Sequence, residues 1–200
     1  MSVMILEGIV TTLSAEGIVN IAPMGPQVGP DPDRFVLRPF RTAQTYRNLK
    51  SHPEGVLHVS DDVLLLARAA LGMLEPAPAL FPAVRIRGQV LQDCCRYYEF
   101  RVRSLDDRED RARIEVEVLH TGRLRDFFGF NRAKHAVVEA AILATRTEVI
   151  PLDEIDAEYR RLAILVKKTG GDQEHRAFAL LCDHVARQRA LREMKPPAES

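Results

Sequence analysis

Apolar and polar positions alternate with a two-residue period through much of the first 120 residues, and the spacing becomes helical after Phe127. The alternation is cleanest in RARIEVEVLHT (111–121), where Ile114, Val116 and Val118 share one face and Arg113, Glu115 and Glu117 the other. That is the pattern of an antiparallel strand buried on one face. CCRYYEFRVRSL (94–105) precedes it across the acidic turn DDRED (106–110), and further strands are predicted at RFVLRPF (34–40), GVLHVS (55–60) and VRIRGQVLQ (84–92). Near the start, Ile9 to Leu13 and the arm holding Val19 and Ile21 flank Ser14-Ala15-Glu16-Gly17, a hairpin loop whose glycine can take a positive φ. The second arm runs into Pro23-Met24-Gly25-Pro26, which removes two N–H donors, so it is expected to leave the ladder there. Gly29-Pro30-Asp31-Pro32-Asp33 reads as a loop.

Helical spacing appears first in two short stretches. TAQTYRNLK (42–50) is expected to start at Thr42 as N-cap, and VLLLARAALG (63–72) at Asp61-Asp62, ending in the proline-rich EPAPALFP (75–82). Beyond Phe127, Asn131 is placed to cap NRAKHAVVEAAILATR (131–146). Pro151 and Asp153 open a helix through Lys168 that Gly170-Gly171 close, and Asp172 is expected to cap a third helix to about Met194, with KPPAES as a tail. Phe178, Leu181, Cys182 and Val185 form an apolar stripe on that last helix, read as core. Six or so antiparallel strands with two inserted helices, then a helical third, predict a mainly β plus α chain: a small antiparallel β-barrel over 1–126 with a helical domain over 127–200.

Composition narrows the function. Lys+Arg and Asp+Glu both number 28 in 200 residues, which disfavours a general nucleic-acid or membrane-surface binder and makes any phosphate recognition local. The longest apolar run, Val63 to Phe81, is interrupted by Arg68, Glu75, Pro76 and Pro78, and the N-terminus has no charged n-region or cleavage site, so a cytoplasmic protein is expected. Cys94, Cys95 and Cys182 match neither zinc spacing nor a disulfide framework and read as packing residues. His175 and His184 are too far apart along one helix to share a metal, so no metal site is predicted. G-x-S-x-G, H-E-x-x-H and P-loop motifs are missing from the sequence.

The chemistry-bearing residues gather at the two strand ends that meet proline. One supplies Asn20, Met24 and Gly25; the other supplies Arg38, Arg41, Thr42, Gln44 and Thr45 at a helix start. Free helix N–H groups, hydroxyls and arginines together suit a phosphate dianion, although the same residues also make an ordinary capped surface helix. Asn131 and Arg132 follow the aromatic run Phe127-Phe128-Gly129-Phe130, which could wall a pocket with Arg132 on an anion, or could be a cap and an ion pair. His135, alone in its helix, reads as structural.

The order GIVNIAPMGP, RPFRTAQTYRNL, VSDDVLLLA resembles the flavin-mononucleotide-binding split barrel of the flavin reductase and pyridoxamine-phosphate-oxidase group. GFNRAKHAVVEAAILATR (129–146) is similar to the barrel-to-helix junction of one uncharacterised branch, domain-of-unknown-function family 447. The resemblance covers nearly the whole chain. It implies an FMN-binding split β-barrel, antiparallel and of Greek-key type, with a C-terminal helical subdomain, and a homodimer with flavin near the subunit interface. It also implies an isoalloxazine ring against the end of the second strand, with the ribityl phosphate near Arg38, Thr42 and Thr45; whether Arg38 or Arg41 makes the contact stays open. The implied activity is an FMN-dependent oxidoreductase acting on a small molecule. The alternatives are a flavin or pterin carrier in one-carbon metabolism, or a structural dimer with an empty cleft.

Overall fold

The structure, a computed structural model, describes residues 3–30 and 33–194. The chain order is β1 (Met4–Ile5), β2 (Gly8–Leu13), β3 (Val19–Met24), β4 (Gln27–Val28), β5 (Arg34–Leu37), α1 (Gln44–Ser51), β6 (Glu54–Val59) and α2 (Val63–Ala70). It continues with β7 (Leu80–Pro82), β8 (Gln89–Leu91), β9 (Arg96–Asp106), β10 (Arg113–Arg123), α3 (Arg132–Ala144), α4 (Leu152–Thr169) and α5 (Asp172–Glu193). Asp31 and Pro32 of the expected loop, and the KPPAES tail, lie outside the described residues.

Pro23 and Pro26 do not end the first ladder; they turn its corner. Pairing runs from Leu13 with Val19 through Gly8 with Met24, then Ile5 with Gln27 and Met4 with Val28, all in one register, and Leu6 N–H donates to Pro26 C=O at 3.0 Å between the two halves. At Gly25 a Cβ would stand 2.8 Å from Ile5 Cγ2 and 3.5 Å from a Glu7 carboxylate oxygen, so the close approach that requires glycine is made by the chain itself. The expectation that this strand leaves its partner is corrected, and β1 and β4 are elements the alternation did not reveal. The bent hairpin supplies both ends of the eight-stranded antiparallel sheet, whose order is β1-β4-β5-β10-β9-β6-β2-β3. The sheet is a curled half-barrel of the split-barrel kind.

Alternation sorts its two faces. Val10, Phe35, Leu37, Leu57, Phe100, Ile114 and Val116 fill the core, with Tyr46 and Leu49 of α1 packed against them. The intervening residues of β2, β6 and β9 face a second layer, the β7–β8 hairpin, in place of the single strand predicted over 84–92. The proline-rich EPAPALFP stretch contributes β7 to it. Sheet side chains hold this hairpin: Glu99 accepts from Val84 and Arg85 N–H at 2.8 and 2.6 Å, Thr11 donates to Gln89 C=O, and His58 Nε2 accepts from Leu91 N–H at 3.0 Å. Buried polar residues there are satisfied, as burial demands.

Residues Asp62–Leu74 and Gly129–Ser200 form a second unit, separate from Met1–Asp61 with Glu75–Phe128. α2 belongs to this second unit, because it is apolar on most faces and packs against α3 and α5. Small residues on α3 (Ala133, Ala136, Ala140, Ala141, Ala144) let α2, α4 and α5 approach closely, and Tyr159 of α4 donates to Ala140 C=O at 2.7 Å. Leu181 and Val185 are buried and Phe178 meets the Tyr159 ring at 5.5 Å, so the α5 stripe is core. Gly171, not Asp172, is the α5 N-cap, its N–H donating to Glu174. Cys94 and Cys95 are buried, and burial pushes the Cys94 thiol up to about 12, which suits packing residues. Among the described residues, no helix is long and apolar enough to cross a membrane, and no group of three or more His, Cys, Asp or Glu side chains is placed to hold a metal ion.

His58 is fully buried, its Nδ1 3.0 Å from Ile9 C=O, and burial lowers its pKa from 6.5 to about 4. Because Nε2 accepts from Leu91, the proton sits on Nδ1. Between those two values the unfolded chain binds the extra proton and the folded chain does not, so stability falls as pH drops from 6.5 toward 4, by up to roughly 3 kcal/mol. Urea denaturation at pH 7.5, 6.5 and 5 is expected to show this loss in the wild type and not in His58→Leu. A slope that persists in the variant would place the loss in another group.

Candidate cofactor site at the start of α1

The helix start is built from the end of β5, the turn at Arg41 and Thr42, and the β9–β10 turn. Ala43 N–H donates to Phe40 C=O and Arg41 N–H to Asp110 C=O, both at 2.9 Å, which tightens the turn and moves the cap one residue on. Ala43 is the N-cap and has no side-chain acceptor to offer. Thr42 is thus corrected: it stands outside the helix, exposed, its carbonyl accepting from Arg47 Nη1 at 2.7 Å. The first turn of α1 carries no acidic residue. Its N–H groups form a positive helix end without a side-chain cap.

Beneath it runs a buried polar network. Asn20 Nδ2 donates to Thr45 Oγ1 at 3.1 Å, tying β3 to α1, and Thr45 is only 2% exposed. Asn48, 1% exposed, donates to Thr12 Oγ1 at 3.0 Å and accepts from Gln44 Nε2 at 2.6 Å. Gln44 Oε1 in turn accepts from Arg47 Nε and Nη2. Both ends of the Gln44 amide are therefore committed inside α1, and Thr45 serves the helix-to-sheet seam. Met24 packs against the barrel core. Asn48 and Arg47 were not foreseen; the one-turn spacing of Gln44 and Asn48 was the available signal.

Arg38 has a different environment. Its Nη2 donates to Glu109 Oε2 at 3.2 Å, and its Nε is buried with no hydrogen-bond partner. Nε and Nη2 form one edge of the guanidinium, the edge that binds two oxygens of one anion side by side. Half of that edge is unused. The turn carrying Glu109 is fixed: Tyr46 Oη donates to Asp107 Oδ2 at 2.7 Å, and Lys50 Nζ donates to the same oxygen at 2.8 Å and to Tyr46 Oη at 3.0 Å. These donors hold the Asp107 carboxyl down at about 2. Arg41 is exposed, and its charge acts on Asp107 in the same direction.

Arg38, Arg41, Thr42 and the N–H groups of α1 are all in the first unit, and the buried Arg38 Nε is a donor without an acceptor there. Asn131 and Arg132 belong to the second unit. Asn131 caps α3, accepting from Ala133 and Lys134 N–H at 2.8 and 3.1 Å while donating to Thr169 C=O, so its side chain is structural. Arg132 is exposed, and Phe130 stacks on His135 with ring centres 6.0 Å apart.

This architecture defines the split-barrel class known from flavin-binding proteins. The chain belongs to the family described as protein of unknown function DUF447, whose N-terminal domain model matches residues 6–125 and whose second model matches residues 131–183. Among solved structures it resembles the FMN-bound protein MM1853 of Methanosarcina mazei, also of DUF447, at 23% identity and a TM-score of 0.78, over 90% of this chain and 95% of that one. Flavoredoxin from Methanosarcina acetivorans matches at 10% identity and a TM-score of 0.51, over 60% and 68% of the two chains. The 2-nitrobenzoate 2-nitroreductase NbaA of Pseudomonas fluorescens matches at 20% identity and 0.50, over 58% and 64%. No curated protein matches the sequence.

The network makes Asn48 the most exacting position at this end. Asn48→Leu strands the buried Thr12 hydroxyl, while the freed Gln44 amide on its exposed residue meets water, and a stability loss of about 1–3 kcal/mol is expected from urea denaturation with an unchanged m-value. A loss below about 0.5 kcal/mol would mean that water also replaces the bond to Thr12.

Proposed function

We propose that this chain is an FMN-binding flavoprotein that works, as a homodimer, as an oxidoreductase on a small molecule. The observation that carries the reading is the half-used Arg38 edge, in the same unit as a helix start that has no side-chain cap and no acidic residue. The FMN in the related M. mazei structure supports the same cofactor. In this reading Arg38 donates through Nε and Nη2 to the ribityl phosphate, and the α1 N–H groups and Thr42 hydroxyl share its remaining oxygens. Asn20 and Asn48 hold α1 on the sheet so that these donors converge. FMN, when bound, supplies the hydride or electron chemistry, and the protein's part is to bind, orient and shield it.

The spectrum of the protein as purified, followed by titration with FMN and riboflavin, tests the cofactor. Arg38→Ala removes a charge-assisted pair, on the order of 1.5–3 kcal/mol, or roughly ten- to a hundredfold in affinity. FMN is expected to weaken by that factor in Arg38→Ala, and to a smaller extent in Thr42→Ala, while riboflavin is unchanged. Added salt should weaken FMN binding less in Arg38→Ala than in the wild type. Equal losses for both flavins would remove the phosphate assignment. Stopped-flow mixing of the flavin-loaded protein with NADH, NADPH or a reduced deazaflavin tests the redox step; bound flavin that none of them reduces would mark a carrier.

A further inference from the structure

We propose that Glu109 is a built-in stand-in for a phosphomonoester: its carboxylate occupies part of the Arg38 edge until a phosphate displaces it, and this competition sets how strongly phosphorylated ligands are preferred. The proposal rests on the reading of Arg38 as the phosphate-binding arginine.

The geometry of the pair points this way. Arginine–carboxylate pairs frequently use both Nε and Nη2, yet Glu109 reaches only Nη2, at 3.2 Å, and leaves the buried Nε without an acceptor. The two partners differ in burial. Glu109 is 79% exposed and Arg38 38% exposed, so the carboxylate can swing into water at little cost while the arginine stays. The turn that delivers Glu109 is itself fixed, through Asp107 to Tyr46 and Lys50 and through the Asp110 carbonyl to Arg41 N–H, so the side chain alone needs to move. A phosphate, with three terminal oxygens and two negative charges, can satisfy Nε and Nη2 together.

Two consequences separate this role from a plain surface ion pair. A ligand without a phosphate leaves the Arg38–Glu109 pair intact and gains nothing from removing Glu109. A ligand with one must break the pair, and its affinity carries that penalty and the repulsion of the nearby carboxylate. Glu109 thus acts as a specificity-determining residue that lowers the advantage of FMN over riboflavin and keeps the phosphate exchangeable.

The test uses the full chain as wild type, Glu109→Gln, Arg38→Gln and the double variant, with FMN, riboflavin and inorganic phosphate as probes. Flavin affinities come from fluorescence quenching, and phosphate binding from the rise in Tm with concentration. Glu109→Gln is expected to bind FMN roughly fivefold tighter, about the worth of one exposed ion pair, with riboflavin unchanged and a larger phosphate-dependent rise in Tm. In the Arg38→Gln background the gain should vanish. FMN affinity that is unchanged or weaker in Glu109→Gln, or a gain that survives Arg38→Gln, overturns the proposal while leaving flavin binding in place. If no flavin binds to any variant but phosphate stabilises Glu109→Gln more than the wild type, the stand-in role holds and the flavin reading falls. No difference with phosphate either would overturn both.

Discussion

Leu6 donates to the carbonyl of Pro26 where the first hairpin bends, and that bond carries the ladder round a corner without a slip in register. A shift of one residue would exchange the faces of β3 and β4 and put Asn20 on the side opposite α1. The two prolines make the bend at small cost: Pro23 and Pro26 lack N–H groups, and Pro26 still offers its carbonyl. Because the bent hairpin forms both ends of the sheet, the curvature of the half-barrel depends on this corner, as does the distance between the β3 side and the end of β5.

The helix start inherits its order from that arrangement. Asn20 on β3 and Thr12 on β2 reach α1 only because the hairpin keeps them in register, and the helix returns the contact through Thr45 and Asn48. Polar residues in such a seam cost more than apolar ones unless each bond is made, so their presence favours one orientation of α1 over its rotated alternatives. The apolar part of the seam, Tyr46 and Leu49, supplies burial but little direction. Arg38, at the end of β5, is then the one side chain of this end with a buried donor left over among the described residues.

Much of this was legible in the chain. The strict alternation of Ile114, Val116 and Val118 gave β10, the Ser14–Gly17 loop gave the β2–β3 hairpin, and Asn131 and Pro151 marked true helix starts, because each signal is local and reports its own backbone. What the local pattern could not carry is short or non-local. Two-residue strands such as β1 and β4 carry too few positions for a period, and the β7–β8 hairpin is held by side chains of other strands, Glu99, His58 and Thr11, which lie far off in sequence. Thr42 looked like a cap because threonine usually is one, yet the Arg41–Asp110 bond, made across the sheet, moved the helix start past it. At the candidate site, the residue types were readable and their availability was not. Gln44 and Thr45 are spent on the network, and Glu109 was visible only as part of an acidic turn.

Asp61 and Asp62 look equivalent as helix-starting residues, but only Asp62 caps α2, accepting from Leu65 N–H at 2.9 Å. Asp61 turns back into the first unit, accepting from Arg125 at 2.6 Å and from Phe128 N–H at 3.0 Å. Asp61 and Phe128 are the last residues of the two segments of the first unit before the chain passes into the second. A single carboxylate therefore gathers both exits, with Arg125 also bridging to Asp93, and the bonds keep the guanidinium strongly protonated. The aromatic run begins at that anchor, so the position of Phe127 and Phe128 on the first unit is fixed by charge-assisted hydrogen bonds and not by burial of their rings, both of which remain exposed.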